Sequence, residues 1–304
     1  MRLASRSEAT PRAALITGVH GFTGRYLRDA LCAGGFDIVG TCARPSESTS
    51  GEVVLDITDL EQCRRVIDQH RPDYIAHLAA ISFVAHADTE AFYRVNVLGT
   101  TNLLQACADV GHQPRKILIA SSANIYGNAY EGIITEQQAP QPVNHYATSK
   151  VAMEFMVRTW FDRLPIVITR PFNYTGRGQA DHFLVPKIVS HFKRGAAFIE
   201  LGNLDVARDF SDVRMVADAY RALLEGEAAG EVVNICSGKP YSLGEIIAAM
   251  GGIAGQSIEV RVNPAFVRAN EVKLLIGSTE RLDALVPGLQ RPSFEQTLRW
   301  MFEG

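Results

Sequence analysis

The chain has 304 residues, 47% of them hydrophobic, and a formal net charge of −3. That is enough apolar material for a full core in one large unit or two lobes. The charge balance excludes a basic nucleic-acid face, and no apolar run approaches the roughly eighteen residues of a membrane span.

Residues 1–12 are polar and carry three arginines, so a loose lead-in to Pro11 is expected rather than a secretory leader. Five scattered cysteines, Cys32, Cys42, Cys63, Cys107 and Cys236, form no Cys-x-x-Cys pair. They read as reduced thiols of a cytoplasmic protein, mostly buried as small hydrophobes. The eight histidines show no metal-ligand spacing, and no metal is expected.

Residues 13–17 are a short apolar run suited to a central parallel strand. The turn Gly18-Val19-His20-Gly21-Phe22-Thr23-Gly24 follows, then a helix over 25–33 that stops at Gly34-Gly35. Strands are expected at 37–42, 53–55, 74–78, 116–120 and 166–169, with helices at 60–70, 89–110 and 145–160. This alternation predicts an α/β fold, a doubly wound parallel (Rossmann) sheet with right-handed crossovers. Ligands of such sheets bind beyond the carboxyl ends of the strands. Gly18, Arg44, Asp56, Ala79, Ser122 and Asn173 all fall at such ends.

After Pro171 the alternation weakens. Helices are expected at 183–194, 213–224 and 243–254, and strands at 197–201 and 232–235. The expected division is a dinucleotide-binding domain over 1–170, rejoined by part of 205–238, and a smaller mixed α/β substrate-binding lobe over 171–304.

Three glycines between strand and helix let the backbone approach a phosphate, and the helix offers it free amides. The turn therefore points to dinucleotide binding by Gly18, His20, Gly21, Phe22, Thr23 and Gly24. The second strand ends in Thr41-Cys42-Ala43-Arg44, without the acid that usually holds the ribose hydroxyls of NAD. Arg44 suits a 2′-phosphate and no carboxylate is expected to repel it, so NADP(H) is favoured, with NAD(H) or dual use open. Asp56 and Ile57 are placed to bracket the adenine.

Tyr146 and Lys150 stand four residues apart, on one face of a helix. A fixed ammonium near a phenol is expected to lower its pKa. Ser122, at the end of the fifth strand, is placed to hydrogen-bond a substrate carbonyl while the phenol gives a proton.

Together these elements resemble the extended short-chain dehydrogenase/reductase family, over nearly the whole chain. The likeness is carried by the glycine turn, His77-Leu78-Ala79-Ala80, Asn96 in Val95-Asn96-Val97-Leu98-Gly99-Thr100, Ser121-Ser122-Ala123-Asn124-Ile125-Tyr126-Gly127, and the Tyr146–Lys150 pair. Arg170-Pro171-Phe172-Asn173, Arg208-Asp209-Phe210-Ser211-Asp212-Val213 and Arg268-Ala269-Asn270-Glu271-Val272 resemble diphosphate- and nucleotide-binding segments of its nucleotide-sugar branch. Segments 201–210, 234–238 and 275–278 resemble reductases of GDP-linked 4-keto-6-deoxy sugars. The resemblance implies cofactor contacts at Leu78, Ala79, Ala80, Asn96, Tyr146, Lys150 and Phe172. It implies substrate contacts at Ser82, Asn124, Asn173, Val185, Lys187, Arg208, Arg268 and Glu271. One stretch departs from the pattern: Tyr174-Thr175-Gly176-Arg177-Gly178-Gln179 replaces His-x-Gly-Pro-Gly-Gln beside the expected sugar pocket.

Sugar dehydratases of this family carry carboxylates directly after the catalytic serine or threonine. Ala123 and Asn124 stand there instead, and neither can act as a base near neutral pH. The expectation is therefore ketone reduction by Ser122, Tyr146 and Lys150. An NAD-dependent epimerase and a non-catalytic NADP-binding sensor are the rivals. Helices 89–110 and 145–160 are apolar on more than one side, as in a homodimer.

Overall fold

The computed structural model describes residues 12–47, 51–82, 87–128, 130–204, 206–266 and 273–304. The lead-in expected up to Pro11 lies outside them. In chain order the strands are β1 (Arg12–Thr17), β2 (Phe36–Cys42), β3 (Val53–Val54), β4 (Tyr74–His77), β5 (Lys116–Ala120), β6 (Gly132–Ile134) and β7 (Ile166–Pro171). They continue with β8 (Asn173–Thr175), β9 (Phe198–Leu201), β10 (Ala207–Asp212), β11 (Val232–Ile235), β12 (Pro240–Ser242), β13 (Glu259–Val262) and β14 (Leu274–Gly277). The helices are α1 (Phe22–Ala33), α2 (Leu60–His70), α3 (Thr89–Tyr93), α4 (Thr100–Asp109) and α5 (His145–Arg158). They end with α6 (Leu184–Lys193), α7 (Val213–Glu225), α8 (Leu243–Ala254), α9 (Glu280–Leu285) and α10 (Phe294–Glu303).

Seven strands form one parallel sheet in the order β11-β7-β5-β4-β1-β2-β3. Side chains alternate between its two faces, as the pleat requires. Leu15, Ile75, Ile117, Ile119, Ile166 and Ile168 pack under α2, α4 and α5, whereas Ala14, Ile16, Ala76, Leu118 and Val167 pack under α1 and α7. Both faces are covered, which is why these strands read as unbroken apolar runs. Four of the five cysteines are buried and all are free; Cys32 is exposed. Among the described residues no helix is long and apolar enough to cross a membrane.

A second sheet, β12-β10-β14-β6 with β8 beside β10, lies in the later part of the chain together with the small β13-β9 pair. Its β6 comes from within residues 1–170, while α7 and β11 return to the first sheet. A separate core of α6, α8 and α10 side chains, including Val185, Phe192, Met250 and Leu298, supports it. Strands β6, β8, β10, β12, β13 and β14 and helices α9 and α10 were not expected. Most of the strands are three or four residues long, too short to show a period.

The helix expected over 89–110 is interrupted. Residues 94–99 form a π-helical turn between α3 and α4. That turn carries the buried Asn96, and at Gly99 an added Cβ would lie 2.7 Å from Ile57. Single π-helical turns of this kind recur inside α-helices at functional sites.

Where the two sheets meet, Arg170 at the end of β7 lies buried against Glu154 of α5. Its Nε and Nη2 donate to the Glu154 carboxylate at 3.0 and 2.6 Å, and its Nη1 donates to the Tyr126 hydroxyl at 2.9 Å and the Glu136 carbonyl at 3.1 Å. Both side chains are 3% exposed. Arg170 is thus committed inside the protein, and the expectation that its segment supplies a phosphate-binding arginine fails there. Glu154→Ala strands a buried guanidinium and is expected to cost about 3–5 kcal/mol, whereas Glu154→Leu with Arg170→Met costs far less. Urea denaturation of the two variants measures the difference, and equal losses would show that the pair is not what holds this junction.

Candidate active site

Strand order reverses between β1 and β4, so the ligand crevice opens beyond their carboxyl ends. The glycine turn leaves β1 at this point. Gly18 has φ +73°, and a Cβ there would lie 3.1 Å from the Ala79 backbone. A Cβ on Gly24 would lie 2.3 Å from the Gly18 carbonyl oxygen. Only glycine permits this packing. Gly21 donates its N–H to the Gly18 carbonyl at 3.0 Å and begins α1 without a side-chain cap or an acid in the first turn. The leading amides of α1 are therefore left for an anion, and the residues present fit a dinucleotide pyrophosphate.

A buried chain of hydrogen bonds ties this cradle to the neighbouring helices. The Thr17 hydroxyl accepts the N–H groups of Leu78 and Ala79, both at 3.1 Å, and lies 2.7 Å from His77 Nδ1. His77 Nε2 is 2.9 Å from the Thr100 hydroxyl, which itself donates to the Asn96 carbonyl at 2.7 Å. With the Thr100 proton committed, its oxygen accepts, so His77 carries its proton on Nε2 and takes the Thr17 proton at Nδ1. Burial, and then the Lys150 charge, push the imidazole down to about 3, so it stays neutral. The Asn96 amide bonds both backbone groups of Ile81 and the Ser149 hydroxyl, and Ser149 donates to the Tyr146 carbonyl. Asn96, expected as a cofactor contact, thus has its side chain spent on holding α5 and the 78–82 segment together.

Asn144 caps α5 by accepting the Ala147 N–H at 2.8 Å. One helical turn then carries Tyr146 and Lys150, 7% and 4% exposed, onto the face that meets the end of β5. Ser122 follows β5, and its hydroxyl accepts the Asn124 N–H at 3.1 Å as the cap of a short turn. Burial pushes the Tyr146 phenol up to about 12, and hydrogen bonding with Ser122 pulls the other way. The Lys150 ammonium makes no hydrogen bond to the phenol. It donates to the Ala120 carbonyl at 2.8 Å, and burial lowers it to about 8. The phenol is thus raised by burial, where a lowering by the ammonium was expected.

Ser122 opens on a cavity of about 140 Å³ lined also by Asn124, Phe172, Asn173, Arg208 and Leu275. Four expected site residues thus join Ser122 around one space. Phe172 is buried against Tyr126. Asn173 donates to the Asp209 carbonyl at 3.2 Å. Arg208 donates to the Ala207 carbonyl at 2.9 Å. Asp209, beside it, is buried and accepts from Ser237, Gly238 and Gly277, which fixes the loops around the cavity.

Other expected residues stand apart. Val185 belongs to the second core, and Lys187 donates to the Glu200 carbonyl at 2.8 Å beside the Phe266 ring. Ile57 is buried in the first core and Asp56 accepts from Thr58. Ser82 is exposed. Arg268 and Glu271 lie outside the described residues.

Two contacts were missed at the sequence level. Tyr174 lies 2.6 Å from the Thr23 hydroxyl and stacks on Phe22, so the departing stretch after Asn173 packs on the cofactor turn. Carboxylates also stand near the end of β2, against expectation. Arg44 pairs with Glu47 at 3.2 Å, and Glu52 lies 2.6 Å from His20. Glu52 is 32 residues from His20, and only the β2–β3 pairing brings it back.

The chain matches a family model described as GDP-mannose 4,6 dehydratase over residues 15–301. It is 36% identical over 269 residues to a GDP-6-deoxy-D-talose 4-dehydrogenase of Aggregatibacter actinomycetemcomitans, covering 88% of this chain and 89% of that one. It is 36% identical over 239 residues to a GDP-6-deoxy-D-mannose reductase of Pseudomonas aeruginosa, covering 75% and 78%. Among solved structures, RMD from Pseudomonas aeruginosa complexed with NADPH superposes with TM-score 0.83 at 31% identity, covering 96% of this chain and 98% of that one. A "putative epimerase" from Burkholderia cenocepacia J2315 superposes with TM-score 0.92 at 47% identity, covering 97% of this chain and 98% of that one. The glycine cradle at the sheet's reversal point and the match along nearly the whole chain agree: this protein belongs to the GDP-mannose 4,6 dehydratase family of extended short-chain dehydrogenases/reductases.

Proposed function

We propose that this protein is an NAD(P)H-dependent reductase of a nucleotide-linked 4-keto-6-deoxy sugar, with GDP-4-keto-6-deoxy-mannose as substrate and GDP-rhamnose or its C4 epimer, GDP-6-deoxy-talose, as product. One observation carries the reading: Ser122, which acts on the buried Tyr146 phenol, lines one cavity with Asn173 and Arg208. The two 36% relatives, named for a GDP-6-deoxy-talose and a GDP-6-deoxy-mannose activity, support it.

The Gly18–Gly24 cradle would hold the pyrophosphate of a nicotinamide dinucleotide, which would supply the hydride. The rest falls to side chains. Tyr146, pushed up to about 12, keeps its proton through the neutral range and gives it to the oxygen as charge develops there. Ser122 donates a hydrogen bond to that same oxygen. Lys150, held by the Ala120 carbonyl, keeps a positive charge beside the phenol below about pH 8. Arg208 faces the diphosphate, where a guanidinium binds oxygens bidentately. Ala123 and Asn124 supply no carboxylate for elimination, which separates this chain from a dehydratase. The partner across α5 is a second copy: Leu98 and Phe155, on neighbouring helical segments, are 57% and 63% exposed.

Three measurements test these statements. Incubation with NADPH and a panel of nucleotide-linked 4-keto-6-deoxy sugars should consume cofactor with the GDP sugar, and Tyr146→Phe should slow this about 10²–10⁴-fold while still binding both ligands. Near-normal turnover in that variant refutes the assignment, and tightly held NAD with no net NADPH oxidation would favour an epimerase. Arg44→Ala should raise KM for NADPH and leave that for NADH unchanged; a parallel change in both would remove Arg44 from 2′-phosphate recognition. Phe155→Glu should halve the mass seen by light scattering, and an unaltered mass would place the dimer contact elsewhere.

A further inference from the structure

Three groups that are far apart in sequence meet beside the cofactor turn. His20 lies within the turn, Cys42 is the last residue of β2, and Glu52 immediately precedes β3. One ligand atom from each, an imidazole nitrogen, a thiol sulfur and a carboxylate oxygen, lies within 4.8 Å of the other two. His20 Nε2 and the Glu52 carboxylate are already 2.6 Å apart. Cys42 is buried, and its thiol points at the Arg44 carbonyl 3.4 Å away.

The backbone that gathers these groups is built from regular pairing. Thr41 and Cys42 pair in register with Val53 and Val54, which sets Cys42 beside the start of β3. Val19 donates its N–H to the Thr41 carbonyl at 3.3 Å, which ties the His20 turn to the same strand. The Cβ that Gly40 lacks would lie 3.0 Å from Val19, so the turn sits close against β2.

One sulfur, one nitrogen and one oxygen donor suit a borderline-soft divalent cation such as zinc, whereas magnesium and calcium take oxygen ligands. Tetrahedral zinc with bonds of about 2.0–2.3 Å holds its donors roughly 3.3–3.8 Å apart. The donors, one pair 2.6 Å apart and all within 4.8 Å, bracket that separation, so binding calls for side-chain adjustment. Three protein ligands leave a fourth position open to water.

We propose that His20, Cys42 and Glu52 form a zinc site, and that zinc held there excludes the adenosine end of the nicotinamide dinucleotide. Binding releases the Cys42 thiol proton to solvent, and the thiolate, the neutral imidazole and the carboxylate coordinate the ion. Exclusion follows from place. His20 stands between Gly18 and Gly21 of the cradle, and Cys42 ends the strand whose tip meets the adenosine ribose in this fold. The exclusion rests on the cofactor reading above; the metal site does not.

Cobalt(II) reports on the site, because a thiolate bonded to it gives a sulfur-to-metal charge-transfer band in the near ultraviolet. Titration of the zinc-free protein should show one such band, saturating at one ion per chain and erased by zinc. Cys42→Ser should lose the band, and Cys32→Ser, at the exposed thiol, should keep it. Glu52→Gln should weaken zinc binding, which calorimetry reads. Fluorescence titration with NADPH should then show an apparent Kd that rises in proportion to free zinc in the native protein and is indifferent to zinc in Cys42→Ser. A missing band, or one that survives in Cys42→Ser, overturns the site. A band with zinc-indifferent NADPH binding overturns the exclusion. Failure of zinc-free protein to bind NADPH or NAD would instead defeat the cofactor reading and leave the metal site standing.

Discussion

Burial of His77 as a neutral imidazole is the constraint on which the rest of the crevice depends. The ring sits at the end of β4 with both nitrogens engaged, by Thr17 of β1 on one side and Thr100 of α4 on the other. Each hydroxyl has a further partner, so every proton in the chain has a single place to go. A polar chain of this kind specifies one arrangement of three elements, because a buried donor or acceptor left unmet costs about 1–3 kcal/mol. It fixes the backbone of Leu78 and Ala79 against Gly18, where a Cβ could not fit. It also anchors the π-helical turn whose Asn96 reaches Ser149 and, through it, the backbone of Tyr146. The glycine cradle and the helix of Tyr146 and Lys150 are thereby positioned by one continuous set of hydrogen bonds.

The electrostatics of the proposed catalytic group follow from the same burial. Desolvation raises the phenol and lowers the ammonium, so each is displaced toward its uncharged form. A proton donor for ketone reduction must hold its proton until charge develops on the substrate, and a phenol at about 12 does so. The ammonium is steadied by the Ala120 carbonyl at the tip of β5. Its contribution lies in a fixed positive charge and a fixed position, since in this structure it makes no bond to the phenol. The buried Arg170–Glu154 pair serves a different end. It joins β7 to α5 and, through Tyr126 and Glu136, to the segment that enters the second sheet.

The parallel sheet was legible because its strands are buried on both faces and its helices are capped by recognisable residues. Asp59 and Asn144 cap α2 and α5, and the strands at 116–120 and 232–235 begin and end where their apolar runs do. The second sheet was not legible. Its strands are short and its partners distant: β14 pairs with both β6 and β10, which lie far earlier in the chain. The final helix does carry a readable signal, the capping box from Ser293 to Gln296. The arginines misled for a physical reason. A guanidinium suits a phosphate and a buried carboxylate equally well, and only packing tells Arg170, sealed against Glu154, from Arg208, on the cavity wall.

The sequence by itself determined the doubly wound sheet, the glycine turn and the spacing of Tyr146, Lys150 and Ser122, because these depend on local patterns of apolarity, glycine and helical repeat. Only the tertiary structure decided what each polar group faces. It turned Lys150 to Ala120, closed Asn96 on Ile81 and Ser149, stacked Tyr174 on Phe22 and brought Glu52 to His20. The hydrogen-bond partners and local dielectric of a side chain are set by segments remote along the chain, and no local pattern records them.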